Sequence, residues 1–404
     1  MPLAIHFIFL ILCCQPVQAQ EKGFDTKKVT AEEIKDSPYF ILLAKRAQMP
    51  AQSLELFRQA LSLRTVTQDD NWVAALRVNM ATALFSLGNT KQAFSELLTA
   101  EKLYKSTGNK IAQGEVLIIM ARFYTRNKVW PEAQKYYKQA LALEESVGEM
   151  RIAANIMLRL AEIAIEKNEL KNAVHYLSYS KKLSETSDDK TGIANSYVRL
   201  AEVFRNQKKY SIGERLIIKS ALPLYRSSGY KAGRIDCFDG LGKIYHSQKR
   251  YSEAKWFFIQ ANTQARALND QEGIIISLIN LGGVKIDIGD YNLAKRDFKE
   301  AEALAQKKGD LVLIVGVKQA YAELYKATGQ YQDMEDPVLL KNSLEKYYYS
   351  QAESANVARY YSEPSKVLKA KAVVSNENSY ISIKIIVSTL IVLFCIFLIT
   401  KWIK

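Results

Sequence analysis

The chain has 404 residues, and its 56 Lys and Arg residues outnumber its 42 Asp and Glu residues to give a formal net charge of +14. Hydrophobic residues make up 48% of the chain, which excludes an intrinsically disordered protein. Only three histidines and four cysteines occur, so a metal site or a Cys/His catalytic pair has few residues available. Composition therefore favours a binding protein over an enzyme, and we predict no metal and no cofactor.

The N-terminus is typical of a secretory signal peptide. Residues 5–14 form an apolar run, and Val17 and Ala19 supply the small residues that a signal peptidase reads before its cleavage site. The segment departs from the usual pattern because no Lys or Arg precedes the apolar run. A lipoprotein signal acylated at Cys13 or Cys14 is the alternative, although no small residue precedes either cysteine.

The middle of the chain repeats a pattern about every 40 residues. A small residue recurs at seven positions, with one interval of 41: Ala81, Ala121, Ala161, Ala201, Gly242, Gly282 and Ala322. In the third unit, Ile156, Leu160, Ile163 and Ala164 lie on one face of a helix. Turn residues recur in register within and between units: Gly88, Asn168, Gly289 and Gly329, then Gly108, Gly148, Gly229 and Gly309. Each unit is therefore predicted to form two helices.

This pattern resembles the tetratricopeptide repeat. In that family an aromatic residue follows the small residue by three positions, an Ala by twelve, an aromatic by sixteen and another Ala by nineteen. The set Ala121, Tyr124, Ala133, Tyr137 and Ala140 matches it fully. The period exceeds the usual 34 residues, as in the subclass with long helices. The resemblance implies an all-α, right-handed α-solenoid.

The single interval of 41 residues coincides with a proline inside a predicted helix. Pro223 lies in the second helix of the unit that contains Ala201. A proline there removes a backbone hydrogen bond and clashes with the preceding turn. We therefore expect a kink or bulge near residues 221–224 that accommodates the extra residue.

The C-terminus predicts a membrane anchor. The apolar run 385–399, extended by its flanks 381–384 and 400–403, provides about 20 residues, enough to cross ~30 Å of hydrocarbon. A buried C-terminal helix is the alternative. Together with the signal peptide, a stop-transfer segment here predicts a single-pass protein whose repeats are extracytoplasmic, or periplasmic in a bacterium, with a short cytoplasmic tail.

The predicted organisation has six parts. They are a signal peptide at 1–19, an N-terminal leader at 20–35, a solenoid of seven to eight repeats at 36–340, a capping helix at 341–363, a juxtamembrane linker at 364–380 and a transmembrane helix at 381–403.

The sequence contains no recognisable catalytic motif. No phosphate-binding loop, zinc-ligand spacing or serine-hydrolase elbow occurs. Equivalent carboxylates such as Glu162 and Glu202 are separated by one repeat, which is too far for a mechanism that uses two carboxylates. The basic residues are dispersed among acidic ones, which argues against nucleic acid as a partner. Cys237 is predicted to be a small core residue. We therefore predict a protein that is not an enzyme.

The resemblance also implies where a ligand binds. In the family, the first helix of each repeat lines a concave groove, and residues at fixed positions around the small residue face into it. Asparagines six positions before the small residue offer both donors and acceptors to an extended peptide. Carried over to this sequence, the candidate binding residues are Arg122, Asn155, Glu162, Asn195, Glu202, Arg205, Asp239, Lys243 and His246.

The predicted function is a membrane-tethered scaffold that binds a protein or peptide in this groove. The arrangement of signal peptide, repeats and one span resembles the sensory region of membrane regulators of Bacteroidetes-type bacteria. In those proteins an output domain follows the span, whereas here only residues 401–404 follow it. The alternative prediction is therefore a ligand-sensing subunit, or a relative without its own output domain, that signals through another protein.

Overall fold

The structure is a computed structural model that describes residues 49–62, 70–330, 350 and 353–355. All regular elements in these ranges are helical. They are α1 (Pro50–Ser62), α2 (Asp70–Ser86), α3 (Thr90–Ser106), α4 (Lys110–Arg126), α5 (Trp130–Val147), α6 (Met150–Glu166), α7 (Leu170–Thr186), α8 (Lys190–Asn206), α9 in three parts (Tyr210–Arg215, a π-helical Leu216–Ala221 and Leu222–Ser228), α10 (Gly233–Ser247), α11 (Tyr251–Ala267), α12 (Gln271–Asp287), α13 (Tyr291–Lys308) and α14 (Leu311–Thr328).

The predicted signal peptide, leader, linker and transmembrane segment lie outside the described residues, as does nearly all of the predicted capping helix. Among the described helices, none combines the length and the apolar character needed to span a membrane. The domain boundaries and the membrane anchor therefore stay predictions.

The helices form repeating pairs. Each even-numbered helix from α2 to α12 packs against the helix that follows it, and these are the first and second helices of one unit. The first helices α6, α8, α10, α12 and α14 also contact one another in sequence, so they form a continuous row. The predicted all-α repeat architecture is confirmed.

The recurring small residues lie where the two helices of a unit cross. Ala81, Ala121, Ala161 and Ala201 are completely buried. At Gly282 the approach is closest, because an added Cβ atom would lie 2.1 Å from Cε1 of Phe298 in the partner helix. A small side chain at this position is therefore a geometric requirement of the helix crossing.

One ring pair links the two helices of a unit. Tyr124 stacks on Tyr136 at 5.7 Å between ring centroids, and Tyr245 stacks on Phe257 at 5.2 Å. In the sixth unit the equivalent residues are Lys285 and Asp297, which form a buried ion pair. This pair explains why a lysine replaces the aromatic residue in that unit.

The predicted turns have left-handed backbone geometry. Every glycine or asparagine that the spacing marked has a positive φ, for example 74° at Gly88 and 58° at Asn168. Lys128, Lys208 and Lys249 adopt the same conformation in the units that lack a glycine there. Since a left-handed conformation costs a residue with a Cβ atom about 1–2 kcal/mol, these lysines are locally strained.

We expect Lys128→Gly to stabilise the protein by about 1 kcal/mol, because glycine adopts the left-handed conformation without steric cost. Lys138→Gly makes the same change at an exposed position inside α5 and should destabilise the protein by about 1 kcal/mol. Thermal denaturation of both variants measures the difference. Shifts of the same sign would contradict this explanation of the turn.

The extra residue of the 41-residue interval is accommodated in α9. A π-helical segment spans Leu216–Ala221, and Ala221 fills the buried position that Ser180 fills one unit earlier. The predicted bulge is thus confirmed, but it begins more than one turn before the predicted 221–224. In a regular α-helix the ring of Pro223 would clash with the carbonyl four residues earlier, at Lys219, so the distortion falls on the preceding turn.

Two buried residues of the described core, Cys237 and Glu144, carry titratable groups whose pKa burial raises. Cys237 is completely buried in α10, as predicted, and burial raises the pKa of its thiol. Glu144 in α5 is also completely buried, and neither carboxylate oxygen has a hydrogen-bond partner among the described residues. Burial, with smaller contributions from Glu115 and Glu149, raises the pKa of Glu144 from an ordinary 4.5 to about 7.

We expect Glu144→Gln to become more stable than the native chain as the pH rises. Below pH 4.5 Glu144 is protonated in both the folded and the unfolded chain. As the pH rises from about 4.5 to about 7 only the unfolded chain loses the proton, so the native fold loses stability over this range. The variant avoids this loss, which is complete by about pH 7 and amounts to about 3 kcal/mol. Urea unfolding between about pH 5 and pH 8 tests it. A stability difference that is constant over this range would contradict the assignment.

Candidate functional site

A cleft opens between the first helices α8 and α10. It is small and partly open to solvent, with about 40 Å³ available to the centres of water molecules. The π-helical segment of α9 contributes Ile217 to its lining. Most of the other lining residues are charged or polar, and the full set is Val198, Arg199, Glu202, Arg205, Ile217, Asp236, Asp239, Gly240, Lys243 and Ile244.

Arg199 joins two successive first helices on one side of the cleft. Its Nε lies 3.1 Å from Oε1 of Glu162 in α6, and its Nη1 lies 3.3 Å from Oε2 of Glu202 in α8. Glu162 also accepts a hydrogen bond from Arg159 at 2.9 Å. Glu202 has a longer contact of 4.0 Å with Arg205. The carboxylate of Glu202 is therefore held less tightly than that of Glu162.

The other side of the cleft is joined to α12. Asp239 accepts a hydrogen bond from Asn280 at 2.7 Å, and its second oxygen lies 2.7 Å from Nζ of Lys243. One turn beyond Lys243 on α10, Nε2 of His246 lies 2.5 Å from Oδ2 of Asp287 on α12. These contacts fix α10 and α12 relative to each other. No equivalent hydrogen bond or ion pair between α8 and α10 occurs in the part of the chain that the structure describes.

The structure brings four of the nine predicted binding residues together. Glu202, Arg205, Asp239 and Lys243 all line the cleft. The remaining predicted residues lie outside it: Arg122, Asn155, Glu162, Asn195 and His246. Their role in binding stays a prediction.

Asn195 makes a contact within the fold. Its side-chain oxygen accepts a hydrogen bond from the Tyr225 hydroxyl at 2.5 Å. The amide oxygen is therefore already engaged in the contact between α8 and α9, because the buried ring of Tyr225 carries its hydroxyl to the edge of α8. Asn155, by contrast, is exposed on α6.

The candidate binding set omitted two charged residues of the cleft, Arg199 and Asp236. Arg199 lies two positions before the small residue and three before Glu202, and Arg159 and Glu162 repeat this spacing one unit earlier. Opposite charges three residues apart on a helix interact, so the spacing contained a usable signal. Asp236 occupies the position of Asn155 and Asn195 in its unit, but sequence alone does not place it in the cleft.

The described residues contain no group of three His, Cys, Asp or Glu side chains arranged to hold a metal ion. The side chains of the cleft offer hydrogen bonds and charges. The cleft combines both signs of charge on a surface between two rigid helices, which suits recognition of a polar ligand by complementary charges.

Comparisons with known proteins define the fold. No protein-family model and no curated protein matches the sequence. A Rap protein, solved in complex with competence and sporulation factor, superposes with a TM-score of 0.52 at 15% identity, covering 84% of this chain and 97% of that one. A tetratricopeptide repeat protein from Parabacteroides merdae gives 0.50 at 15% identity, covering 71% of this chain and 98% of that one. This chain has a tetratricopeptide-type fold.

At this level of identity the tetratricopeptide likeness concerns the fold alone. It agrees with the repeated pairs from α2 to α13 and with the buried small residues at their crossings. The chemistry of the cleft between α8 and α10 comes from this chain's own residues.

Proposed function

We propose that this chain is a scaffold that binds a peptide or an exposed protein segment across the cleft between α8 and α10. The observation that carries the proposal is the convergence of Glu202, Arg205, Asp239 and Lys243 on one cleft of the row of first helices. The Rap protein of similar fold, which was solved with a bound factor, supports a binding role.

The cleft suits a polymer that makes several modest contacts at once. A single hydrogen bond contributes only about 0.5–1.5 kcal/mol net, so useful affinity requires several of them. Hydrogen-bonding residues continue along the row from Glu162 on α6 to Asn280 on α12. An extended chain lying across α8 and α10 reaches this whole surface, whereas a small solute fills only the cleft.

Binding of a random peptide library to the full-length chain tests the proposal. A cleft variant with Glu202, Arg205, Asp239 and Lys243 all changed to Ala should bind at least about tenfold more weakly, the effect of losing one strong polar contact. The matched control changes Lys181, Glu185, Arg266 and Glu300 to Ala, which removes two ion pairs of the second helices and leaves the net charge equal. Equal losses in the two variants would refute the cleft as the site.

The membrane tether is a further part of the proposal, and it is supported by the sequence alone. The apolar segment 381–403 anchors the chain, and the signal peptide at 1–19 directs the repeats to the extracytoplasmic side. We expect the full-length chain to sediment with membranes after a carbonate wash and a variant lacking 381–403 to remain in the supernatant. Protease added to spheroplasts, whose periplasmic face is exposed, should digest the repeats. Protection of the repeats would contradict the orientation.

A further inference from the structure

The cleft lies where the repeat lacks a side chain. Two positions before the small residue, Arg199 reaches back from α8 to Glu162 of the preceding first helix, and Asn280 reaches back from α12 to Asp239. In α10 the equivalent residue is Gly240. Glycine has no side chain that could reach back from α10 to α8. The cleft lies where such a side chain would make the bridge between these two helices.

The space beyond Gly240 is open. A Cβ atom built at Gly240 would meet only one atom within 4 Å, Cδ1 of Ile217 at 2.9 Å. That atom is the far end of the Ile217 side chain, which must shift by a few tenths of an ångström to admit the Cβ atom. By comparison, Cβ atoms at Gly242 and Gly282 would overlap phenylalanine rings. The glycine at 240 is thus not required by packing against an aromatic ring, as the other two are.

Three carboxylates and three cations line the cleft around the vacant position. Each of the cations contacts Glu202 or Asp239, and they are Arg199, Arg205 and Lys243. Glu202, Asp236 and Asp239 all line the cleft. The contacts of Glu202 with arginine, at 3.3 and 4.0 Å, are longer than the 2.7–2.9 Å typical of a strong charge-assisted hydrogen bond. Asp236 has no hydrogen bond or ion pair to any residue of the described ranges. Two carboxylates therefore retain unfilled capacity to accept hydrogen bonds.

The electrostatics of Asp236 agree with this geometry. Although Asp236 is exposed to the cleft, partial desolvation by the surrounding protein raises the pKa of its carboxyl to about 6. Asp239 and Asp270 add to the rise, and Arg199 and Lys243 oppose it. A cation placed beside Asp236 would lower this pKa again. Its binding should therefore be stronger above pH 6 than below it.

We infer that the cleft accepts a cationic side chain of the bound peptide, an arginine in preference to a lysine, whose guanidinium lies between Glu202 and Asp236 where a side chain from position 240 would lie. This inference rests on the proposed function and specifies the group that the ligand presents. The chain itself contains a precedent for the contact, since Arg199 meets Glu162 in this way one step earlier. The planar guanidinium donates to two carboxylates at once, which an ammonium does less well.

The test compares two libraries of acetylated, amidated random octapeptides. One has arginine fixed at the fourth position, and the other has citrulline, its uncharged isostere, at the same position. The full-length native chain should bind the arginine library at least about tenfold more tightly, because a charge-assisted contact is lost with citrulline. The preference should weaken as salt is raised.

Two substitutions at one position locate the effect. Gly240→Arg supplies the missing guanidinium from the chain itself, so it should abolish most of the preference for arginine. Gly240→Ala places the same Cβ atom near Ile217 but leaves the cleft open, and it should keep the preference within about threefold of native, less than one polar contact. Asp236→Asn should reduce the preference and remove its dependence on pH between about 5 and 8.

The outcomes separate the inference from the proposed function. If the native chain binds both libraries equally while the cleft variant loses both, the cleft binds peptide but not through a cation, and the inference is wrong. If Gly240→Arg retains the native preference for arginine, the site is elsewhere and the inference is also wrong. If the native chain binds neither library, the proposed function and the inference fail together.

Discussion

Replacing Asp297 by Ala should destabilise the protein by about 3–5 kcal/mol, because it leaves the Lys285 ammonium buried without its partner. The side chains of Lys285 and Asp297 are only 7% and 6% exposed. Asp297 also has a weaker contact of 3.4 Å with Arg296, so Lys285→Ala leaves its carboxylate partly compensated and should cost less. Urea unfolding followed by circular dichroism measures both variants.

The decisive control replaces the whole pair. Lys285→Tyr combined with Asp297→Phe copies the stacked Tyr245 and Phe257 of the preceding unit. Replacing a buried ion pair by well-packed apolar residues is often neutral or stabilising, so we expect this double variant to lie within about 1 kcal/mol of the native chain or above it. A double variant as unstable as Asp297→Ala would show that the two units do not share one packing scheme.

Adjacent glycines in α12 should respond in opposite directions to alanine. Gly282→Ala introduces a Cβ atom 2.1 Å from the Phe298 ring, and we expect a loss of about 1–3 kcal/mol from overpacking. A Cβ atom added at Gly283 would meet no atom within 4 Å, so Gly283→Ala should stabilise the helix by about 0.5–1 kcal/mol.

The comparison isolates packing from helix propensity, because both substitutions change the same residue type in the same helix. Thermal denaturation of the two variants is sufficient. The melting temperature of Gly282→Ala should fall below the native value, and that of Gly283→Ala should rise above it. The double variant Gly282→Ala with Phe298→Leu should recover part of the loss, since leucine lacks the ring atoms that overlap. A destabilised Gly283→Ala, or no recovery in the double variant, would contradict the role assigned to the close crossing.

The repeat could be predicted from the sequence because its determinants are local and recur. A small residue every 40 positions marks the helix crossings, and glycines mark turns that require a left-handed backbone, as at Gly88. The position of the bulge in α9 was less accurate, because Pro223 acts on a carbonyl in the preceding turn. The pairing of Lys285 with Asp297 was missed because the two residues are twelve positions apart on different helices. The other residues of that unit follow the repeat pattern, so nothing in the sequence marked the pair.

The candidate site could be predicted only in part. The family's groove positions identified Glu202, Arg205, Asp239 and Lys243, which the structure brings together. The cleft itself depends on Gly240, a residue whose importance lies in the side chain that it lacks. Such a vacancy becomes visible only when the contacts of equivalent residues in neighbouring units are known.

The most direct test of the binding proposal is an affinity capture of partners by the full-length protein solubilised from its own membranes, read by mass spectrometry. The native chain is compared with the cleft variant and with the matched variant of the second helices, after circular dichroism has shown that both are folded. We predict that a protein or peptide is captured by the native chain and by the second-helix variant but is lost from the cleft variant. Capture of the same partners by all three would contradict the assignment of the cleft between α8 and α10 as the binding surface.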